Sequence, residues 1–175
     1  MLLPILLLLT ATDIFDGKTL DNWVNVGGAN FRVEHGEIVV DKGAYSWLRT
    51  RETYKDYELH IEFKTAANGN SGVFLRSSAV GKPHETGYEL QIYDERKDFR
   101  TGSIVDVAEA NPVTKINPNV WNSFDVKHIG PNIVVKLNGK KIVDTKDSKS
   151  KSGHIGLQFN PDKPVSFRKI KIKEL

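Results

Sequence analysis

The sequence predicts an all-β protein, folded as one antiparallel two-sheet β-sandwich. Turn-forming Gly, Asn, Asp and Pro residues separate short apolar stretches about every 8–12 residues, which is the spacing of sandwiches and barrels. The stretches alternate apolar and polar residues with a period of two, as half-buried strands do. A chain of 175 residues is long enough for one such domain with its own core.

The first half of the chain supplies strands up to residue 94. Residues 31–40, FRVEHGEIVV, read as two short strands about a turn at His35-Gly36. Residues 56–65, DYELHIEFKT, alternate over their whole length. Residues 71–78, SGVFLRSS, and residues 87–94, GYELQIYD, follow as two more strands.

The second half begins with the least regular stretch, residues 97–118, which we expect to form loops at the rim of the sandwich. Residues 121–130 then read as a strand, and an Asn138-Gly139 turn between alternating arms predicts a hairpin. Two more strands, 152–159 and 165–175, bring the total to about ten to twelve. The predicted core residues are Tyr57, Leu59, Ile61, Phe63, Val73, Leu75, Leu90, Ile92, Phe124 and Val126.

Composition excludes several kinds of site. The absence of cysteine excludes disulfides, thiolate nucleophiles and cysteine-based zinc sites. The net charge is only +3, and basic residues near the C-terminus alternate with Ile170 and Ile172 instead of forming a patch with aromatic residues. We therefore expect no nucleic-acid partner. No two histidines have metal-ligand spacing, so we predict no metal and no cofactor.

The N-terminus differs from the rest of the chain. Residues 2–9 are apolar and are followed by the small residues Thr10, Ala11 and Thr12. The apolar run is shorter than the roughly 20 residues of a membrane-spanning helix and fits the centre of a secretory signal peptide. We predict a signal peptide at residues 1–12, a β-sandwich domain at 13–175, and export to the periplasm, the envelope or the outside. An apolar strand and a misassigned start codon are the alternatives.

A row of polar side chains lies along residues 87–94. Glu89, Gln91 and Tyr93 should share one face, opposite Leu90 and Ile92. The E-x-Q-x-x-D spacing that ends at Asp94 resembles the E-x-D-x-x-E motif of laminarinase-type glucanases, although Asp94 joins the row only if a bulge follows Ile92. The row is either a binding floor or the solvated face of a sheet.

The preceding strand should add to this face. Because Val73 and Leu75 are predicted to point to the core, Phe74 and Arg76 should point to the side of Glu89 if the strands form a meander. Together these residues would form a polar floor of sugar size with aromatic walls. The alternative for Arg76 is a cross-strand salt bridge to Glu89.

Several stretches together resemble the 3-keto-disaccharide hydrolase family. They are IFDGKTLDNW (14–23), the stretch 45–76, GYELQIYD (87–94), TGSIVDV (101–107), WNSFDV (121–126), LNGKKIVD (137–144) and the last two strands. The resemblance implies a concanavalin A-like jelly roll, export by bacteria, and activity on glycosides whose sugar is oxidised at C3. It places the cleft at Arg76, Glu89, Gln91, Asp94 and Gln158.

The chemistry implied by this resemblance needs few groups. A ketone at C3 acidifies the hydrogen at C2, so that a base can remove it, form an enolate and expel the group at C1. We expect Glu89 to be the base and Arg76 to stabilise the developing charge. Gln91 and Gln158 would orient hydroxyl groups, and Phe74, Tyr93 and Asp94 would complete the site. The expected ligand is a small oligosaccharide or glycoside.

Two other functions remain open from the sequence. Where family members commonly have a tyrosine this chain has Val105, and it reads Phe159-Asn160-Pro161 where many have a His-Gly. These differences favour a lectin or carbohydrate-binding module without turnover. A structural or interaction domain is the third alternative. His84, in the loop before Glu89, is expected to be solvated.

Overall fold

The computed structural model describes residues 10–175, which form two antiparallel β-sheets and one four-residue helix. The strands are β1 (Thr12–Asp13), β2 (Trp23–Ala29), β3 (Arg32–Glu34), β4 (Glu37–Val40), β5 (Gly43–Thr50), β6 (Tyr57–Thr65), β7 (Ser71–Ser77), β8 (Tyr88–Ile92), β9 (Asn122–Ile129), β10 (Asn132–Leu137), β11 (Lys140–Lys146), β12 (His154–Phe159) and β13 (Val165–Glu174); helix α1 is Pro83–Thr86.

The larger sheet has the strand order β11-β10-β9-β6-β13-β4-β3, with β1 paired to β13. The smaller sheet has the order β2-β5-β12-β7-β8. This arrangement confirms the predicted antiparallel sandwich. No helix within residues 10–175 is long and apolar enough to cross a membrane.

The predicted core is confirmed. All ten predicted core residues are at most 2% exposed. In β6 the burial alternates strictly, because one face packs on the small sheet and the other faces solvent.

Three strands of the smaller sheet depart from this alternation. Every residue of β7, β8 and β12 is buried. One face covers the core, and the irregular stretch 93–118 packs along the edge of the sheet at β8. That stretch runs beside β8, where the Gln91 N–H donates to the Ser103 carbonyl (3.0 Å) and the Val105 N–H donates to the Glu89 carbonyl (2.9 Å). The predicted rim loop is therefore packed along the edge strand.

The predicted boundary at residue 13 falls inside a short strand. Thr12 pairs with Ile172 and Asp13 with Lys171, and both strand residues are exposed. Residues 1–9 of the predicted signal peptide lie outside the described residues, so the signal peptide stays a prediction.

Candidate functional site

The outer face of the smaller sheet carries the polar row found in the sequence. Phe74 of β7 lies opposite Glu89 of β8, and Gly72 lies opposite Gln91. Leu90 and Ile92 point into the core, as the alternation predicts. The row is thus the floor of a cleft and not a solvated face.

The cleft has a volume of about 510 Å³ and is lined by residues of β8 and of the segments before and after it. Helix α1 supplies one rim residue, and the stretch after β8 supplies several others. The lining residues are Tyr45, Asn70, His84, Glu89, Gln91, Tyr93, Arg96, Val105, Asp106, Gln158 and Asn160.

Glu89 is a buried carboxylic acid at this floor. It is 8% exposed, and its Oε1 accepts a hydrogen bond of 3.0 Å from Gln158 Nε2. Burial raises the pKa of Glu89, and Asp106 acts in the same direction; the Gln158 hydrogen bond and the nearby His84 and Arg96 oppose the shift. A carboxyl group with a raised pKa is suited to proton transfer.

Gly72 leaves the space that Glu89 occupies. A Cβ atom at residue 72 would lie 3.1 Å from Glu89 Oε1 and 3.2 Å from its Cγ. Because Gly72 has no side chain, the Glu89 carboxylate can pack against the backbone of β7.

Gln158 is itself held by other amides. Its Oε1 accepts a hydrogen bond of 2.9 Å from Asn160 Nδ2. The same nitrogen lies 3.3 Å from both the backbone carbonyl oxygen and Oδ1 of Asn70. Tyr45 lines the same cleft. The floor is thus a connected polar network that can bind hydroxyl groups.

The chain matches one protein family over nearly all of its described length. The family described as "3-keto-alpha-glucoside-1,2-lyase-like domain" covers residues 10–173. The chain belongs to this family. The resemblance found in the sequence is confirmed, and no curated protein matches the chain.

Solved structures agree with this assignment of the 3-keto-α-glucoside-1,2-lyase-like domain. Two crystal structures, each named a "putative glycosyl hydrolase" from Parabacteroides distasonis ATCC 8503, are 23% and 25% identical, with TM-scores of 0.82 and 0.77. The alignments cover 94% of this chain and 94% of the first protein, and 95% and 100% for the second. The carbohydrate-binding module CBM66 from Bacillus subtilis is 18% identical, with a TM-score of 0.68 over 87% of this chain and 96% of the module.

The structure places four predicted site residues together at the surface of the cleft in this lyase-like domain: Glu89, Gln91, Tyr93 and Gln158. Phe74 is on the predicted face but is 0% exposed. Its ring packs edge-on against Trp47, with centroids 5.7 Å apart. The prediction of Phe74 as an aromatic wall in contact with ligand is therefore wrong, and Phe74 packs against Trp47 beside the floor.

The predicted position of Arg76 beside Glu89 is also wrong. Arg76 has a φ of 52°, and the β12 register shifts between His154 and Gly156 next to it. This irregularity turns the side chain away from the cleft. Its Nη2 donates to Asp56 Oδ1 at 3.1 Å, and its Nη1 donates to the Gly130 carbonyl at 2.7 Å.

Asp94 does not line the cleft either. Its Oδ2 accepts a hydrogen bond of 3.0 Å from the Ile116 backbone N–H. The carboxylate thus holds the stretch that runs beside β8, and the predicted place of Asp94 in the site, which required a bulge after Ile92, is wrong.

Six polar lining residues were missed as site residues. Tyr45 and Asn160 could have been found, since they lie two residues from Trp47 and Gln158, which face each other on β5 and β12. His84 lies in helix α1 at the rim of the cleft, and its side chain is 37% exposed, as the prediction of a solvated residue implies. Asn70, Arg96 and Asp106 lie in irregular segments, where no periodicity orients a side chain. No group of three or more His, Asp or Glu side chains within residues 10–175 could hold a metal ion.

Proposed function

We propose that the protein cleaves glycosides oxidised at C3, with Glu89 as the base. The observation that carries this proposal is the buried carboxylate of Glu89 at the floor of a polar cleft, held as an acceptor by Gln158. Membership of the 3-keto-α-glucoside-1,2-lyase-like family supports the substrate class.

The proposed reaction begins with transfer of the C2 proton to a Glu89 carboxylate oxygen. The C–H electrons form an enolate across C2 and C3. When the C3 ketone reforms, these electrons make a C1–C2 double bond and the C1–O bond breaks. The departing oxygen then takes a proton, which Glu89 can return. This elimination needs one base and not a pair of carboxylates.

Arg96 takes the stabilising role first given to Arg76. Its half-buried side chain lines the cleft, and it makes no side-chain hydrogen bond or ion pair with any other described residue. A guanidinium in this position can bind the enolate oxygen as charge develops. His84, on the rim of the same cleft, is the other cationic candidate when protonated.

Sugar binding without turnover is the second candidate function. The observation that favours it is the amide-rich lining of Asn70, Gln91, Gln158 and Asn160, which suits hydroxyl groups without implying chemistry. The fold shared with the carbohydrate-binding module CBM66 is consistent with this alternative. For either function we propose export, on the basis of the apolar residues 2–9.

The two functions are separated by turnover. The purified chain is incubated with a 3-keto-glucoside and with its unoxidised counterpart, and release of the aglycone is followed. We expect release only from the keto substrate. The Glu89→Gln variant keeps the shape but removes the base, so the rate should fall by about 10²–10⁴.

Glu58→Gln is the matched control, because Glu58 lies on the larger sheet and pairs with Lys127. It should retain the parental rate. A parent that binds sugar but never releases the aglycone would favour the binding module. A parental rate in Glu89→Gln would assign the base to another residue.

A further inference from the structure

Asn70, Asn160 and Gln158 lie beside Glu89 and are linked by hydrogen bonds whose donor-to-acceptor direction is fixed. We call these three residues the amide chain. It starts at a group that can only accept a hydrogen bond, the backbone carbonyl of Asn70. Asn160 Nδ2 lies 3.3 Å from this oxygen and 2.9 Å from Gln158 Oε1. An amide nitrogen has two hydrogens, so both bonds can form at once.

The polarity passes through Gln158 to Glu89. Because Asn160 presents its NH₂ group, Gln158 must present its oxygen to Asn160 and its nitrogen to Glu89. That nitrogen lies 3.0 Å from Glu89 Oε1. In the opposite orientation, the Gln158 NH₂ group would face the Asn160 NH₂ group, and the Gln158 oxygen would face the Glu89 carboxylate. Glu89 thus faces a donor at this oxygen, which favours the ionised carboxylate.

We propose that Asn160 is a positioning residue that, through Gln158, holds Glu89 as a hydrogen-bond acceptor ready to receive a proton. The use of that carboxylate as a base rests on the proposed function, but its hydrogen-bonded state does not. The other titratable or charged groups that line the cleft around Glu89 are Tyr45, His84, Tyr93, Arg96 and Asp106. None of them is altered in the test.

Reversing the amide chain tests the proposal. In Asn160→Asp the donor becomes an acceptor, so Gln158 should turn its nitrogen to the new carboxylate and its oxygen to Glu89. That oxygen pairs only with a protonated Glu89. The midpoint of the Glu89 titration should then rise by about one pH unit or more, as expected when a hydrogen bond to a charged group is lost.

The matched control is Asn70→Asp, which adds the same charge at the neighbouring position. It leaves Asn160 as the donor, since a carboxylate at residue 70 still accepts its hydrogen bond. We expect a clearly smaller shift. Equal shifts in the two variants would mean that the added charge acts through space, and would overturn the proposal.

A neutral variant covers the case in which Asn160→Asp does not fold. Asn160→Leu removes the donor without adding charge and lets Gln158 rotate, so the midpoint should still rise. An unchanged midpoint in a folded Asn160→Leu would overturn the proposal.

The readout is ¹³C NMR of the full chain labelled at the glutamate carboxyl carbons, with the Glu89 signal assigned by its loss in Glu89→Gln. This titration needs no substrate, so it decides the role of Asn160 even if the keto-glucoside is never cleaved. Where turnover occurs, the acid limb of kcat/KM should move with the titration. A lower kcat with an unmoved acid limb would mean that Asn160 contacts substrate, and would overturn the positioning role.

Discussion

At the scale of single residues, Glu89 is a carboxyl group in surroundings that oppose its charge. Its folded pKa is raised above the ordinary value of 4.5, chiefly by burial. In the unfolded chain the pKa returns to that ordinary value. The group therefore contributes stability that is fully present below about pH 4.5 and is lost as the pH rises through the folded pKa. The ionised Glu89 side chain should thus lower the free energy of unfolding at neutral pH.

Glu89→Gln should remove the loss of stability that ionisation of Glu89 causes. The new amide oxygen can still accept from Gln158 Nε2, but it carries no charge. We expect a larger free energy of unfolding than that of the parent at pH 7, with the difference shrinking towards pH 4. Urea unfolding at the two pH values measures it.

The control substitution, Glu58→Gln, should show the opposite sign. Hydrogen bonding to Lys127 lowers the pKa of Glu58, so its contribution is present at pH 7 and is lost as the pH falls. A Glu89→Gln variant that is equally destabilised at both pH values would show that ionisation of Glu89 carries no cost.

At the scale of strands, the alternation of apolar and polar residues predicts which face a side chain points to, but only where the strand is regular. On β8 it correctly placed Glu89 and Gln91 on the outer face and Leu90 in the core. On β7 it failed at Arg76, where the positive φ of 52° is a conformation that no sequence pattern signals for an arginine. Arg96 was not found, since it lies in the irregular stretch after β8.

Strand β12 shows a second constraint that the alternation does not describe. Gly156 lies between Trp47 of β5 and Phe74 of β7, whose rings meet across it. A Cβ atom at this position would lie 2.4 Å from Trp47 Cε3 and 3.2 Å from Phe74 Cδ2. Both rings are buried and have little room to move.

Gly156→Ala should therefore destabilise the fold by about 1–3 kcal/mol, the usual cost of overpacking. Gly28→Ala is a suitable control, because its Cβ atom would meet nothing closer than Ala44 Cβ at 3.4 Å. Denaturant unfolding of both variants measures the difference. Equal stabilities would mean that Trp47 can shift to make room for the added methyl group.

At the scale of the whole molecule, Arg76 joins the two sheets. The residue belongs to β7 of the smaller sheet, and its side chain is 1% exposed. Its Nη2 donates to the carboxylate of Asp56 and to the carbonyl of His128, both at 3.1 Å. Its Nη1 donates to Gly130, in the turn between β9 and β10 of the larger sheet. The guanidinium thus replaces, at one end of the sandwich, the apolar packing that joins the sheets elsewhere.

This position gives a prediction that separates a structural from a catalytic arginine. Arg76→Met keeps the length of the side chain but removes the charge and all of its hydrogen bonds. Asp56 and the carbonyls of Gly130 and His128 lose their donor, so the free energy of unfolding should fall by about 1–3 kcal/mol, the usual cost of leaving hydrogen-bonding groups without a partner. Because the side chain points away from Glu89, kcat per folded molecule should stay near parental.

The measurement pairs urea unfolding with turnover of the 3-keto-glucoside at a temperature where the variant is folded. Arg51→Met is the control, since Arg51 is exposed and its side chain donates only to the Asp21 carbonyl; both the stability and the rate of this variant should change little. A normal stability with a hundredfold lower kcat in Arg76→Met would make Arg76 part of the chemistry. The opposite result, a weakened fold that still turns over, would leave Arg96 as the arginine that faces the substrate, because it is the one that lines the cleft with Glu89.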